Sequence, residues 1–230
     1  LALFEHYQPG NAMVFCNTKK QCAEVAAFLQ EHDIEAAAIH GDLDQRDRDQ
    51  VLLQFTNNSC PVLVASDVAA RGLDIPALAM VVNFELPRDG DTYVHRIGRT
   101  GRAGETGQAF SLVTPSEAPR LRVIEDHLDI NCLCDVLESL NRNPNYQLQG
   151  DMATLQLDAG RKQKLRPGDI LGALTGDAGL AGDQIGKIKI LDNSSYVAIA
   201  RSALRQAMNY LAQGKIKGRS IRVRRLKLHR

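Results

Sequence analysis

The sequence of 230 residues has no tryptophan, only 5% aromatic residues and no long apolar run. A membrane-spanning helix needs about 18 or more apolar residues in succession, so we expect no membrane segment. The first residues lack the basic stretch and the cleavage site of a signal peptide, and the chain looks as if it begins inside a longer protein. Together these absences predict a cytoplasmic protein.

Metal ligands are few and scattered. The five cysteines are an odd number without a CxxC pair, and none of the six histidines has a second ligand at metal-site spacing. We therefore expect reduced thiols, no disulfide framework and no bound metal. The sequence also lacks GxxxxGK(S/T), the glycine-rich loop that holds nucleotide phosphates in many ATPases.

Charge is divided unevenly along the chain. Residues 1–150 contain 12 Lys and Arg against 21 Asp and Glu, a net charge of −9. Residues 151–230 contain 16 Lys and Arg against 6 Asp, a net charge of +10, and have no Glu and no Phe. This asymmetry predicts two domains, the second facing a polyanion. Ordinary solvated surface charge is the alternative.

Apolar runs alternate with amphipathic segments in the first part. This alternation predicts an α/β fold over residues 1–128, with a parallel sheet flanked by helices. Ligands of such sheets bind beyond the carboxyl ends of the strands. The loops after residues 16, 40, 65 and 84 are therefore the expected functional loops.

The rhythm changes after residue 128. Polar and turn-forming residues at 129–150 predict a linker. The remainder, 151–230, is predicted to form strands and helices in the order βαββαβ, which is a ferredoxin-like α+β arrangement. The predicted strands are 153–157, 185–191, 196–200 and 220–226, and the predicted helices are 167–174 and 202–212.

The segment richest in chemical groups is Tyr93 to Gly104, YVHRIGRTGRAG. Arg96, Arg99 and Arg102 recur every third residue, and glycines recur at the same interval. Each glycine inside a helix costs about 1 kcal/mol, so the segment is predicted to be a helix end that passes into a loop. Guanidinium groups bind phosphate oxygens in a bidentate manner, which indicates a phosphate ligand. An ordinary basic loop is the alternative.

Several segments resemble motifs of a known family. HRIGRTGR at 95–102 resembles motif VI of superfamily 2 helicases, in the form typical of DEAD-box RNA helicases. VFCNT at 14–18, HGDLDQRDR at 40–48, ASDVAARGLDIP at 65–76 and VVNFELP at 81–87 resemble other motifs of the same RecA-like lobe. They follow in the expected order and at the expected spacing.

The second part resembles the RRM-like RNA-binding domain of DbpA-type bacterial DEAD-box helicases. The resemblance lies in RPGDILGALTG at 166–176, IGKIKI at 185–190 and KIKGRSIRVR at 215–224. It implies ATP-dependent RNA unwinding, binding of 23S ribosomal RNA, and action on the pre-50S particle during assembly of the large ribosomal subunit. The absence of an extended heptad pattern favours a monomer.

The chain resembles only part of such an enzyme. It has neither the P-loop nor a DEAD tetrapeptide, and in this family both belong to the first RecA-like lobe. Most of the site for ATP with Mg²⁺ would lie in that lobe. The chain alone is therefore expected not to hydrolyse ATP.

Motif position implies roles at the nucleotide. Arg99 and Arg102 would reach the γ-phosphate when the two lobes close, where an arginine typically contributes about 10³–10⁵ in rate. His95 would help to couple nucleotide and RNA, unless it is a packed or capping histidine. Asp74 would contact the ribose, unless it is a turn or N-cap aspartate. Arg96 is either part of this site or a structural residue paired with an acidic neighbour.

Other residues of the first part are implied in RNA binding. They lie at a strand-to-helix turn, where free N–H groups and a positive helix end favour a phosphate, and in motif V. For Arg48 the alternative is an ion pair within its helix, with Asp44. The implied residues are Gly41, Asp42, Gln45, Arg48, Ser66 and Arg71.

The basic domain keeps few stacking groups. Tyr196 is the one aromatic residue where an RRM carries several, so phosphate contacts rather than base stacking are expected to dominate. A non-enzymatic RNA-binding or annealing module, and a DNA helicase lobe, are the rival interpretations. The candidate RNA-binding cations are Arg161, Lys162, Lys164, Lys187, Lys189, Lys215, Lys217, Arg219, Arg222 and Arg224.

Overall fold

The computed structural model of the chain describes residues 1–75, 77–101 and 106–228. It divides into two compact units. The first comprises residues 1–52 and 60–149 with the end of the chain, and the second comprises residues 53–59 and 150–227. Across the described ranges, no helix combines the length and the apolar composition needed to cross a membrane.

The first unit contains a five-stranded sheet whose neighbouring strands are all parallel. Strands β1 to β4 are almost entirely buried, as is typical of parallel sheets covered on both faces. The predicted α/β class with a parallel sheet is confirmed. Across the sheet the strands lie in the order β2-β3-β1-β4-β5. Along the chain they are β1 (Ala12–Cys16), β2 (Ala36–Ile39), β3 (Val62–Ser66), β4 (Met80–Asn83) and β5 (Gln108–Ser111).

Helices connect and cover these strands. The Thr18 hydroxyl accepts a bond from the N–H of Gln21, and the Asp89 carboxylate accepts one from the N–H of Thr92. Such caps satisfy N–H groups at helix starts, so the sequence marks where two helices begin. The helices are α1 (Ala2–Tyr7), α2 (Lys19–Glu31), α3 (Gln45–Thr56), α4 (Asp67–Ala70), α5 (Gly90–Ile97) and α6 (Ala118–Leu128).

The segment predicted as a linker contacts the first unit along much of its second half. Arg142 donates to the Glu5 carboxylate at 2.6 Å, and the Tyr146 hydroxyl donates to the Pro9 carbonyl at 2.8 Å. Leu148 is buried in the hydrophobic core. The segment is therefore not a free tether. The sequence pattern predicts a linker because most of these residues are polar, although a few apolar residues attach the segment to the first unit.

The second unit contains a four-stranded antiparallel sheet. Its spatial order, β7-β8-β6-β9, is the ferredoxin-like order that the sequence predicts. The α-helical part of the first helix is shorter than predicted, because the chain changes to a π-helical turn at Ala173–Asp177. The elements are β6 (Met152–Leu157), α7 (Pro167–Gly172), β7 (Ile185–Ile190), β8 (Ser195–Ala200), α8 (Leu204–Gln213) and β9 (Val223–Arg225).

One face of this sheet forms the core of the second unit, with Leu155, Leu157, Val197 and Ile199. The opposite face is also largely covered. On it Tyr196 is only 4% exposed.

Candidate nucleotide and RNA sites

The loops that follow β1 to β4 leave the sheet at the same edge. In the strand register Cys16 lies beside Ser66, and Phe15 lies beside Asn83. Ile39, the last residue of β2, lies beside Ala65. The candidate residues that follow these strands are therefore gathered beyond the carboxyl ends, where parallel sheets bind ligands.

Arg96 lies at the centre of this edge and is 1% exposed. Its guanidinium makes a two-bond contact with the Asp67 carboxylate, at 2.7 and 2.8 Å. It also donates to the Asn83 side chain at 3.1 Å, the Glu85 carbonyl at 2.8 Å and the Asn17 side chain at 2.8 Å. These bonds occupy all five N–H groups that a guanidinium offers.

This bonding decides the role that the sequence left open for Arg96. A side chain with every donor bonded and almost no exposed surface has nothing left for a phosphate. Arg96 instead joins the ends of β1 and β4 to the start of α4. It is a structural residue paired with an acidic neighbour, Asp67.

Arg99 follows the end of α5 at Ile97, so the segment passes from a helix into a loop as predicted. Its guanidinium donates to the carbonyls of Leu73 at 3.0 Å and Ala70 at 3.4 Å. Both carbonyls belong to the motif V segment. Arg99 is partly exposed, unlike Arg96, and lies against the segment that contains Asp74.

Glycines shape the two loops around Arg99. Gly72 has φ +70° and Gly101 has φ +63°, a left-handed conformation that residues with a Cβ rarely adopt. Arg102, the other proposed γ-phosphate contact, lies outside the described residues.

His95 and Asp74 are both exposed. His95 lies on α5, one turn before Arg99. In the described part of the chain no helix begins at Asp74, and the next strand is β4, so the N-cap alternative for Asp74 is wrong. Both roles at the nucleotide stay predictions.

The turn before α3 differs from the free helix start that the sequence predicts. The Asp44 carboxylate accepts the N–H of Asp47 at 2.7 Å, and so occupies one of the donors expected to face a phosphate. Asp42 pairs with Lys19 at 2.8 Å, and both side chains are more than half exposed. An exposed pair of this kind contributes little stability and can be exchanged readily. Gly41 is exposed at the same turn.

Arg48 does not make the ion pair with Asp44 that was the alternative for it. Its guanidinium instead donates to the carbonyl of Ala69, in α4, at 2.7 Å. Gln45, one turn earlier, is exposed and donates to the Asp49 carboxylate at 2.8 Å. Arg48 therefore links α3 to the motif V segment, whereas the bond of Gln45 stays within α3.

Ser66 and Arg71 flank α4. Ser66 ends β3 and precedes the helix, but its hydroxyl makes no capping bond. Arg71 follows the helix and is exposed. A hydroxyl and a cation therefore flank α4, the helix whose Ala69 carbonyl accepts the bond from Arg48.

The basic residues of the second unit fall into separate groups. One group joins the turn 161–164 to the loop 215–219: Lys217 donates to the Lys164 carbonyl at 3.2 Å, and Arg219 donates to the Gln163 carbonyl at 3.3 Å. This group, which also includes Arg161, Lys162 and Lys215, is called the loop patch below.

The remaining cations lie on the sheet edges. Lys187 and Lys189 are on β7, whereas Arg224 is on β9 with Arg222 just before it, and β7 and β9 are the opposite outer strands. The structure therefore does not gather all ten predicted cations on one surface. The predicted ferredoxin-like order already places these two strands at opposite edges. The joining of the turn 161–164 to the loop 215–219 depends instead on tertiary contacts, which the sequence pattern does not indicate.

The outer face of the sheet is closed to a base. Tyr196 lies beside Gln156 and Lys189 in the register, and Gln156 and Thr154 are buried with it. The Thr154 hydroxyl is within 2.7 Å of the Ser59 hydroxyl, and Ser59 belongs to the same unit. Stacking of RNA bases on this face would require that covering to be displaced.

Sequence reasoning missed the partners of Arg96. Asn17, Asp67 and Asn83 all lie within quoted motifs but were given no role. The available signal was a polar residue at the end of an otherwise apolar strand, as in VVNF at 81–84. Within the described ranges no three His, Cys, Asp or Glu side chains form a group that could hold a metal ion.

Comparison with known proteins gives matches over both units. Residues 1–104 match the helicase conserved C-terminal domain, and residues 154–225 match the DbpA RNA binding domain. The chain is 50% identical to the ATP-dependent RNA helicase DbpA of Escherichia coli over 98% of its length, and 33% identical to DbpA of Bacillus subtilis over 94%. It covers 49% of each relative, so it spans about half their length.

Solved structures of DEAD-box proteins resemble a part of the chain. E. coli SrmB, crystallised with the regulator of ribonuclease activity A, is 36% identical with a TM-score of 0.57. That match covers 64% of this chain and 86% of the SrmB chain. A DEAD-box protein of Methanococcus jannaschii is 40% identical with a TM-score of 0.53, covering 56% of this chain and 35% of its own.

Proposed function

We propose that the chain supplies the second lobe and the RNA-binding domain of an ATP-dependent RNA helicase. The premise is that it belongs to the DEAD-box helicase family and combines a helicase C-terminal domain with a DbpA-type RNA-binding domain. The observation that carries this proposal is the arrangement around motif VI. Arg96 is used entirely inside the protein, while the neighbouring Arg99 is partly exposed beside motif V.

Arg99 and Arg102 are proposed to contact the γ-phosphate of ATP, and Asp74 the ribose. Arg99 would bind phosphate oxygens from its place against the carbonyls of Leu73 and Ala70. Charge spreads over those oxygens as the phosphoryl group transfers, so arginines placed there favour the transition state. Mg²⁺ would be held by the other lobe, and His95 is proposed to link nucleotide and RNA.

Two surfaces are proposed for RNA. In the first unit, the α3 turn with Arg48, Ser66 and Arg71 would hold the backbone of a strand without reading its bases. In the second unit, the loop patch would bind a structured RNA through its phosphates. By family analogy we propose that this RNA is 23S ribosomal RNA within a pre-50S particle, and that the protein acts as a monomer in the cytoplasm.

The nucleotide assignment is tested by kinetics. The chain is joined to the first lobe of E. coli DbpA, and RNA-stimulated ATP hydrolysis is measured for Arg99→Ala and Arg102→Ala, with Arg88→Ala as the exposed control. We expect a large fall in kcat and a much smaller change in the KM for ATP, because these contacts form only in the transition state. A change confined to KM would refute the assignment.

The RNA assignment is tested by salt dependence, using the whole chain and a 23S rRNA hairpin. Each phosphate contact contributes about −0.9 to the log–log slope on a duplex and about −0.7 on a single strand. Lys217→Ala with Arg219→Ala should make the slope shallower by about one to two units. Arg122→Ala with Arg205→Ala, both exposed, is the matched control. Equal slopes for the two double variants would remove the loop patch from the RNA surface.

A further inference from the structure

Helix α4 has only four residues, Asp67–Ala70. A helix this short cannot be stable alone, because forming the first turn costs more backbone entropy than its one hydrogen bond returns. Its backbone supplies few bonds of its own: the Asp67 carbonyl accepts the N–H of Arg71 at 3.1 Å, and the Ala70 carbonyl accepts that of Leu73 at 3.4 Å. The carbonyls at a helix end otherwise need donors from elsewhere. The position of α4 is therefore set by what surrounds it.

Three guanidinium groups hold this helix. Arg96 binds Asp67, the first residue, through two bonds of 2.7 and 2.8 Å. Arg48 donates to the carbonyl of Ala69 at 2.7 Å, and Arg99 donates to the carbonyl of Ala70 at 3.4 Å. The donors come from two elements, because Arg48 lies on α3 whereas Arg96 and Arg99 lie on and after α5.

The contact with Arg48 is not an incidental surface contact. Ala69 is 1% exposed, so its carbonyl is shielded from water. A buried carbonyl that loses its donor is destabilised, and a bond from a charged donor is stronger than one from a neutral donor. Consecutive carbonyls of α4 thus bind one arginine from the proposed RNA surface and one from the proposed nucleotide surface.

We propose that Arg48 is a positioning residue for ATP turnover, which acts by holding α4 so that the carbonyls of Ala70 and Leu73 set the place of Arg99. This inference rests on the proposed function of Arg99. It assigns Arg48 a task inside the protein beyond contact with RNA phosphates. An RNA strand bound at the α3 turn would alter the bond from Arg48 to Ala69, and α4 would transmit that change to Arg99.

Substitution by lysine separates the two roles of Arg48. Lysine keeps the positive charge that attracts phosphate, but its ammonium ends short of the guanidinium N–H groups and lacks their planar fork. Arg48→Lys should therefore retain RNA affinity and lose the bond to Ala69, whereas Arg48→Ala should lose both. Arg46→Ala, an exposed arginine of the same helical turn, is the matched control.

The first measurement uses the chain as it is. Hydrogen exchange of the peptide spanning residues 66–73 should become faster in Arg48→Lys and Arg48→Ala and stay unchanged in Arg46→Ala. Binding of a labelled uridine oligomer, followed by anisotropy, reports RNA affinity for the same proteins.

The second measurement uses the chain joined to the first lobe of E. coli DbpA. At saturating RNA, kcat should fall about tenfold or more in Arg48→Lys, as expected for loss of one charged hydrogen bond. Full kcat in Arg48→Lys, or unchanged exchange at 66–73, would overturn the inference and leave Arg48 as a phosphate contact. Full kcat in Arg99→Ala would instead refute the proposed function, while the exchange result would still show whether Arg48 holds α4.

Discussion

Replacing Arg96 should destabilise the first unit more than replacing any exposed arginine in it. Arg96→Met removes the charge and keeps much of the side-chain volume. It leaves the Asp67 carboxylate, whose side chain is 29% exposed, without its cation. It also removes a donor from Asn83, which is fully buried.

The magnitude follows from these two losses. Breaking a buried ion pair by removing one partner costs about 3–5 kcal/mol, and an unsatisfied buried polar group costs about 1–3 kcal/mol. The losses share one network and do not add, so we expect about 3–5 kcal/mol in total. A domain has only about 5–15 kcal/mol of stability, so much of the first unit's stability would be lost.

Because the chain has two units, its unfolding need not be two-state, and a single melting curve would mix them. Hydrogen exchange measured on peptides from β1, β3 and β4 reports the first unit alone. The set is Arg96→Met, Asp67→Asn, the double variant, and Arg88→Ala as an exposed control. We expect the double variant to cost less than the sum by about 1–3 kcal/mol, since it leaves no unpaired charge. A loss under about 1 kcal/mol for Arg96→Met would refute the structural role of Arg96.

Three further outcomes are expected. Thr18→Ala should lower the stability of the first unit by about 1 kcal/mol, measured by hydrogen exchange of the α2 amides, because the Thr18 hydroxyl caps α2 by accepting the N–H of Gln21. The bonds from Arg142 hold the pKa of Glu5 below its ordinary value, so the stability that Glu5 contributes is present at neutral pH and is lost as the pH falls through that lowered pKa. Glu5→Gln should flatten the acid limb of a pH–denaturation series, and an unchanged limb would contradict this. Tyr196→Leu should leave affinity for the 23S rRNA hairpin nearly unchanged, whereas loss of a stacking ring would cost about 1–3 kcal/mol.

The sequence predicts the architecture well because its signals are local. Alternating apolar runs give the parallel sheet, and Thr18 and Asp89 mark where α2 and α5 begin. The order βαββαβ likewise leads to the observed sheet order β7-β8-β6-β9. The individual strands, helices and caps depend on residues within a few positions of one another, and the sheet order follows from the order of these elements.

The contacts of the site depend instead on residues far apart in the chain. Nothing near Arg96 in sequence indicates that Asn17 and Asp67 will satisfy its donors. The bond from Arg48 to Ala69 likewise spans two elements, and a local rule favours the Asp44 pair that does not form. The covering of Tyr196 arises from tertiary packing, which the strand pattern does not encode.

The central proposal is that this chain supplies the second lobe and the RNA-binding domain of an RNA-dependent ATPase. The most direct test measures ATP hydrolysis, with and without a 23S rRNA hairpin, by the chain alone, by the first lobe of E. coli DbpA alone, and by the two joined. We expect RNA-stimulated hydrolysis only in the joined protein, and its loss there on Arg99→Ala. RNA-stimulated hydrolysis by the chain alone, or none in a joined protein that folds and binds RNA, would contradict the account.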